Sequence, residues 1–154
     1  MHLHLEPVTA LNRADVLALN VAPGQEGYVE TVAQCLAEAD STRCWRPIAI
    51  YDGPTLVGFA MYGFFWQYLP FGRLWLDRLL IDQRYQGQGY GKAAFTALLH
   101  RLYAEYPHRR KIYLSVIEAN VPAICLYSQF GFQFTGELDT HGEKVMVQKR
   151  QLHK

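Results

Sequence analysis

Apolar and polar positions along the chain fall into short strand-like runs separated by stretches of helical spacing. Leu3 to Val8 suits a short opening strand. Asn12 stands where an N-cap would, ahead of Val16, Leu17 and Leu19, so a first helix is expected there. Pro23 and Gly24 break it, and from Gly27 the residues Val29, Val32, Ala33, Leu36 and Ala37 recur at helical intervals up to Asp40, which predicts a second helix. Ile48 to Tyr51 and Leu56 to Phe64 flank Asp52-Gly53-Pro54 and predict a hairpin. Leu74 to Ile81 is a further apolar strand that runs into a glycine-rich loop. A long helical pattern including Ala93, Leu98, Leu99 and Leu102 follows and ends before Pro107. Ile112 to Val116 reads as a strand, and Pro122 sits near the start of a helix through Tyr127. Phe132 to Leu138 and Val145 to Val147 flank a polar turn at His141 and Gly142, a second hairpin. Strands first, then strand-helix-strand alternation, point to an α/β class in which helices cover a mixed sheet.

Composition narrows the picture. With 154 residues, 50% of them hydrophobic and 19% charged, and no repeat or linker, residues 1–154 are expected to form a single domain and not a disordered chain. Fifteen Lys and Arg against fourteen Asp and Glu leave a net charge of +1, which argues against a nucleic-acid-coating protein. No apolar run reaches the roughly 20 residues of a spanning helix, and MHLHLEPV lacks the layout of a secretion signal, so a cytoplasmic protein without a membrane partner is expected. Cys35, Cys44 and Cys125 form an odd set without CxxC spacing and are expected to be buried free thiols. His2 and His4 share one strand face, but no third ligand joins them, and no metal is expected.

The candidate chemistry begins at Gln86-Gly87-Gln88-Gly89-Tyr90-Gly91, between an apolar strand and a helix. Glycine there permits close backbone approach, and the unpaired N–H groups of a helix start favour a phosphate or diphosphate. Lys92 is followed by Ala93 and not by a hydroxyl, so a Walker loop is disfavoured; Gly87 and Gly89 followed by Lys92 do not complete GxGxxG.

The form Q/R-x-x-G-x-G/A from Gln86 to Gly91 resembles motif A of the GNAT superfamily of acyl-CoA-dependent N-acetyltransferases. Arg84 to Gly89 fits it in a shifted register. Asn120, Ala123, Leu126, Tyr127, Phe130, Gly131 and Phe132 resemble its motif B. GFAMYG, WLDRLLID, YQGQGYGK and FGFQFTGELDTHGEKVMV, together with the helix around Cys35 to Ala39, are similar to bacterial spermine/spermidine acetyltransferases over nearly the whole chain. The resemblance implies the GNAT fold, a mixed, mostly antiparallel sheet of six to seven strands flanked by about four helices. It further implies acetyl-CoA as cosubstrate without a metal, and a small polyamine as acceptor. Backbone groups of Leu79 and Ile81 would bind the pantetheine arm. Gln86, Gly87, Gln88, Gly89, Tyr90, Gly91 and Lys92 would surround the pyrophosphate, with Asn120 nearby or serving only as a helix cap. Members of this superfamily are often dimers, which leaves a homodimer open.

N-acetylation needs a neutral amine, whereas a free alkyl ammonium titrates near about 10. The resemblance makes Asp77 the base or amine anchor; the competing reading is a surface ion pair with Arg78. It likewise makes Tyr127 the acid that protonates the departing thiolate, against a core aromatic. Glu30 and Tyr28 are further candidates for holding the amine, by charge and by cation–π contact. Glu26, Glu38, Asp40, Asp52 and Asp82, with Trp66, Tyr68 and Trp75, are weaker ones. Cys125 has no His beside it on its helix, so direct attack is expected over an acyl-cysteine. Another acceptor (an aminoglycoside, an amino acid or a protein N-terminus) and a non-catalytic acyl-CoA-binding module remain the rival readings.

Overall fold

A computed structural model describes residues 1–23, 31–68 and 70–150. In chain order the elements are β1 (Leu3–Pro7), α1 (Arg13–Leu17), α2 (Val32–Ser41), β2 (Trp45–Asp52), β3 (Thr55–Phe65), β4 (Arg73–Ile81), α3 (Tyr90–Glu105), β5 (Lys111–Val116), α4 (Val121–Gln129), β6 (Gln133–Leu138) and β7 (Lys144–Lys149). The strands form one seven-stranded sheet in the order β1-β2-β3-β4-β5-β7-β6. Every pairing is antiparallel except β4 with β5. The expected mixed sheet with about four helices is present. No described helix is long and apolar enough to cross a membrane.

Apolar alternation sends successive side chains of the central strands to opposite faces. Ile48, Ile50, Ala60, Tyr62, Leu74 and Leu76 pack with Phe95, Leu98 and Leu102 of α3. Ala49, Phe59 and Met61 pack instead with Val16, Cys35 and Leu36 of α1 and α2. β3 is therefore covered on both faces, which explains its nearly unbroken apolar run.

Two irregularities shape the middle of the sheet. Between the pairs Met61↔Asp77 and Phe59↔Leu80, β4 advances three residues against two on β3, and Arg78 takes φ +59, the one positive value outside glycine among the described residues. This is a β-bulge, and it kinks β4 halfway along. The parallel ladder between β4 and β5 holds only at Leu74↔Ile112 and Trp75↔Tyr113. Beyond Trp75 the two strands part, β4 remaining on β3 and β5 on β7.

Several local expectations are corrected. Asn12 stands at the start of α1 but does not cap it; its side chain turns back to accept from Thr9 N and donate to Pro7 O, closing the preceding turn. The described second helix starts at Val32 behind a capping box of Thr31 and Gln34, and its expected start at Gly27 falls outside the described residues. Cys35 is buried, but Cys44 and Cys125 are exposed. Cys44 lies in the turn after α2, and α4 has no fully buried residue to shelter Cys125.

Gly58 shows how tightly β3 and β4 are seated. A Cβ there would lie 2.5 Å from Leu80 O and 3.0 Å from Ile81 Cδ1. Gly58→Ala is expected to destabilise the fold by about 1–3 kcal/mol, the usual cost of overpacking, read as a lower urea midpoint at unchanged slope.

Candidate active site

The glycine loop is set by the carboxylate that precedes it. Asp82, 1% exposed, follows β4 and accepts from Asn20 N at 3.0 Å, Arg84 N at 3.0 Å and Arg84 Nε at 2.8 Å. Burial acts to raise its pKa, but the Arg84 guanidinium and the two backbone N–H groups outweigh burial and hold the carboxyl below its ordinary range. Gln86 then donates through Nε2 to Ile81 O at 2.9 Å. Gly87 and Gly89 adopt φ +77 and +86, conformations that suit glycine, and Gly89 is the N-cap of the 16-residue α3. With no side chain capping that end, its first N–H groups are left for an anion.

Beside the loop a groove of about 240 Å³ runs between the exposed edge of β4 and α4, lined by Leu79, Ile81, Gln86, Gly87 and Gly91 on one side and Pro122, Ala123, Leu126 and Tyr127 on the other. Five of the expected coenzyme residues thus line one groove. Gln88, Gly89, Tyr90, Lys92 and Asn120 do not line it. Gln88 hydrogen-bonds back to Arg84 O, the Tyr90 hydroxyl donates to Asp52, Lys92 is exposed, and the Asn120 side chain caps α4 by accepting from Ala123 N.

A separate cavity of about 290 Å³ is lined by Glu38, Trp45, Phe65, Tyr68, Trp75, Asp77, Arg78, Ser115, Asp139 and His141, among others. Groove and cavity meet where β4 and β5 part. A passage of about 10 Å³ there is lined by Asp77, Arg78 and Ser115, which also line the cavity, and by Leu79 and Tyr127, which also line the groove. The two expected catalytic residues therefore stand at the same narrow opening.

Asp77 and Arg78 do pair, at 3.1 Å, as the competing reading has it, but not on the surface: their side chains are 13% and 8% exposed. Arg78 N also donates to Asp77 Oδ1 at 2.9 Å, and the Arg78 guanidinium lies 3.7 Å from Glu38 on α2. Glu38 accepts from Trp45 Nε1 at 3.2 Å. Tyr127 packs on Phe95 and Phe132, so it is a core aromatic as well as a cleft residue. Burial first, and then the negative charge of Asp77, push its hydroxyl well above the ordinary tyrosine range, so the phenol keeps its proton.

Other candidates are placed elsewhere. Tyr28, Glu30 and Glu26 lie outside the described residues. Asp82 and Asp52 organise the loop and the start of α3, and Asp40 pairs with Arg13 at 2.8 Å. Tyr68 and Trp75 wall the cavity, whereas Trp66 is exposed and sits with Phe64 and the Arg109 guanidinium. His4 pairs with Glu6.

Sequence reading missed the contribution of the last hairpin. Asp139 lines the cavity, accepts backbone N–H from His141 and Glu143 at 2.8 Å each, and stands beside Ser115, which lines the same cavity. Burial, and then the neighbouring Asp139, push the Glu143 carboxyl up to about 7. The turn had the polarity of any exposed loop; only the antiparallel register that sets Ser115 opposite Val145 brings it to the cleft.

The sheet thus parts between two parallel strands, with a groove beside the glycine loop on one side and a cavity holding three carboxylates on the other. The profile of the acetyltransferase (GNAT) family matches residues 12–132. The chain is 47% identical over 152 residues to the spermine/spermidine N(1)-acetyltransferase of Bacillus subtilis strain 168, covering 97% of this chain and 99% of that protein. Among solved structures it resembles the spermidine N-acetyltransferase of Vibrio cholerae in complex with CoA and spermine, with a TM-score of 0.72 at 18% identity, covering 97% of this chain and 96% of that one. It also resembles aminoglycoside acetyltransferase AAC(6')-Ib, with a TM-score of 0.81 at 20% identity over 97% of this chain and 94% of the other. At such identities the two structures establish the fold. The chain belongs to the GNAT acetyltransferase family.

Asp82 gives a direct test of how the loop is held. Because folding lowers its pKa, its contribution is complete above the unfolded value near about 4 and is lost as pH falls through the folded value. Asp82→Asn is expected to cost about 1–3 kcal/mol at pH 7. The gap to wild type should close in urea unfolding as the pH falls below about 4.

Proposed function

We propose that the enzyme transfers an acetyl group from acetyl-CoA to a primary amine of spermidine or spermine, by direct attack in a ternary complex. The observation that carries this reading is the small void between the groove and the acidic cavity, lined by residues of both, with Tyr127 and Asp77 on its wall. The near full-length likeness to a spermine/spermidine acetyltransferase supports the choice of acceptor.

The groove residues suit the coenzyme. Its diphosphate would lie against the glycine loop and the first amides of α3, where the helix dipole favours negative charge. Its pantetheine arm would extend the sheet along β4 past Leu79 and Ile81, filling the edge that β5 leaves unpaired. The thioester then stands at the passage. From the other side a polyamine enters a cavity with Glu38, Asp77 and Asp139 as anions and Arg78 as cation. Trp45, Phe65, Tyr68 and Trp75 supply the aromatic wall that a chain of methylenes and ammonium groups prefers. Asp77, on the wall of the cavity, anchors the reacting ammonium by charge. After the ammonium has given up one proton, the nitrogen lone pair attacks the thioester carbon and the C–S bond breaks; the Tyr127 hydroxyl supplies a proton to sulfur and takes back the second proton that the acylated nitrogen loses. Cys125 is exposed and lines neither groove nor passage, as direct attack requires.

The acceptor is tested by thiol release with spermine, spermidine, putrescine, an aminoglycoside and a peptide N-terminus. The highest kcat/KM is expected for spermine or spermidine. Preference for the aminoglycoside or peptide would overturn the polyamine assignment, and coenzyme binding without thiol release from any amine would reveal a non-catalytic module. Tyr127→Phe is expected to lower kcat on the order of 100-fold, the scale of general acid catalysis, while acetyl-CoA affinity measured by calorimetry changes little.

A further inference from the structure

An alkylammonium that enters the cavity must lose a proton before it can attack, and Asp77 already accepts two hydrogen bonds from Arg78. A different set of groups leads away from the passage. Ser115, on β5, lines both the passage and the cavity. Its hydroxyl stands beside the Asp139 carboxylate, and the Asp139 and Glu143 carboxyl groups stand beside each other in one turn. The turn that carries the two acids is closed on itself, with Asp139 N donating to Glu143 O and Glu143 N to Asp139 Oδ1, both at 2.8 Å. The pair is thereby held in place by backbone geometry, independently of any substrate.

We propose that Ser115, Asp139 and Glu143 form a proton relay that carries the ammonium proton from the passage to Glu143, leaving Asp77 to anchor the amine. This deepens the amine-transfer reading and rests on it. As the substrate N–H bond breaks, its electron pair stays on nitrogen and the proton goes to Ser115 Oγ. The hydroxyl's own proton passes to Asp139, and that proton moves on to Glu143. The net change is an ammonium and a Glu143 carboxylate giving a neutral amine and a Glu143 carboxylic acid. The amine nitrogen then forms its bond to the acetyl carbon. Glu143 is half-buried, so it returns the proton to solvent between turnovers.

The charged groups facing Glu143 are Asp139 in its own turn and Asp77 and Arg78 from β4. His141 lines the cavity at the turn's tip, and neighbouring Lys144 is drawn to Glu118 at 3.2 Å. Burial, with the two aspartates against one arginine, leaves the Glu143 carboxyl near 7, where it can both take up and release a proton at neutral pH. Only ionised Glu143 can receive the proton, so activity rises with pH through this titration.

The test compares kcat/KM and kcat against pH for wild type and Glu143→Gln, with spermidine as acceptor. Wild type should show a limb in kcat/KM centred near 7, separate from that of the free amine. Glu143→Gln should lose that limb and lower kcat about tenfold or more, with a smaller change in KM for spermidine. A variant that keeps both the limb and kcat overturns the relay. So does one that raises KM at unchanged kcat, since Glu143 would then only hold a cation. If Glu143→Gln fails to fold, Ser115→Ala removes the bridging hydroxyl alone. It must then lower kcat while acetyl-CoA affinity holds, and unchanged turnover sinks the relay. A wild-type enzyme that acetylates some other amine removes the polyamine reading, and the same variants run on that amine still decide the relay. If no amine is acetylated, both readings fall.

Discussion

Everything about the site depends on β4 and β5 pairing for only two residue pairs and then separating. A parallel ladder is normally continuous, because every unpaired N–H and C=O along it must find another partner. Here the ladder stops after Trp75 and Tyr113, and the edge of β4 beyond it faces a groove instead of a strand. The passage between the two faces of the sheet exists because of this break. A fully paired strand in its place would bury Leu79 and Tyr127 in one core and Asp77 in another.

The parting is held by interactions on both of its sides. On β4 the bulge places Arg78 at positive φ, a conformation that costs a residue with a Cβ roughly 1–2 kcal/mol. The Arg78–Asp77 ion pair is largely buried, where an ion pair is stronger than at a surface, and partly exposed Glu38 adds a longer contact at 3.7 Å. On the far side β5 is committed to β7 over its full length, from Lys111↔Lys149 to Val116↔Lys144. Asp82 fixes the downstream end by joining β4, the loop and the segment at Asn20.

Much of this fold was legible from periodicity alone. Strands alternated, α3 announced itself by Leu98, Leu99 and Leu102, and the glycine loop stood between a strand and a helix as anion-binding loops do. Five loop and strand positions read as coenzyme contacts line the groove, and Asp77 and Tyr127 meet at the passage. What could not be read was register. Nothing in the local sequence says that β4 has one residue more than β3 at Arg78, because a bulge is settled by packing across three strands and not by propensity. Nor does Asp139-Thr140-His141-Gly142-Glu143 differ from a solvated turn until β7 is laid antiparallel to β5. Exposure failed for Cys44 and Cys125 for a similar reason: cysteine tends to be buried, but a turn and an outward helix face supply no second layer.

The two sides of the parted sheet are electrically opposite, and this follows from what borders each of them. The start of α3, which no side chain caps, brings the positive end of the helix dipole beside the groove. Glu38, Asp77 and Asp139 present negative charge to the cavity, offset in part by Arg78. On the proposed function, an anionic carrier would be drawn to one face and a cationic acceptor to the other, and neither would compete for the other's place. Tyr127 stands between them. Buried and facing Asp77, its phenol is protonated and uncharged at rest, so it disturbs the charge of neither side.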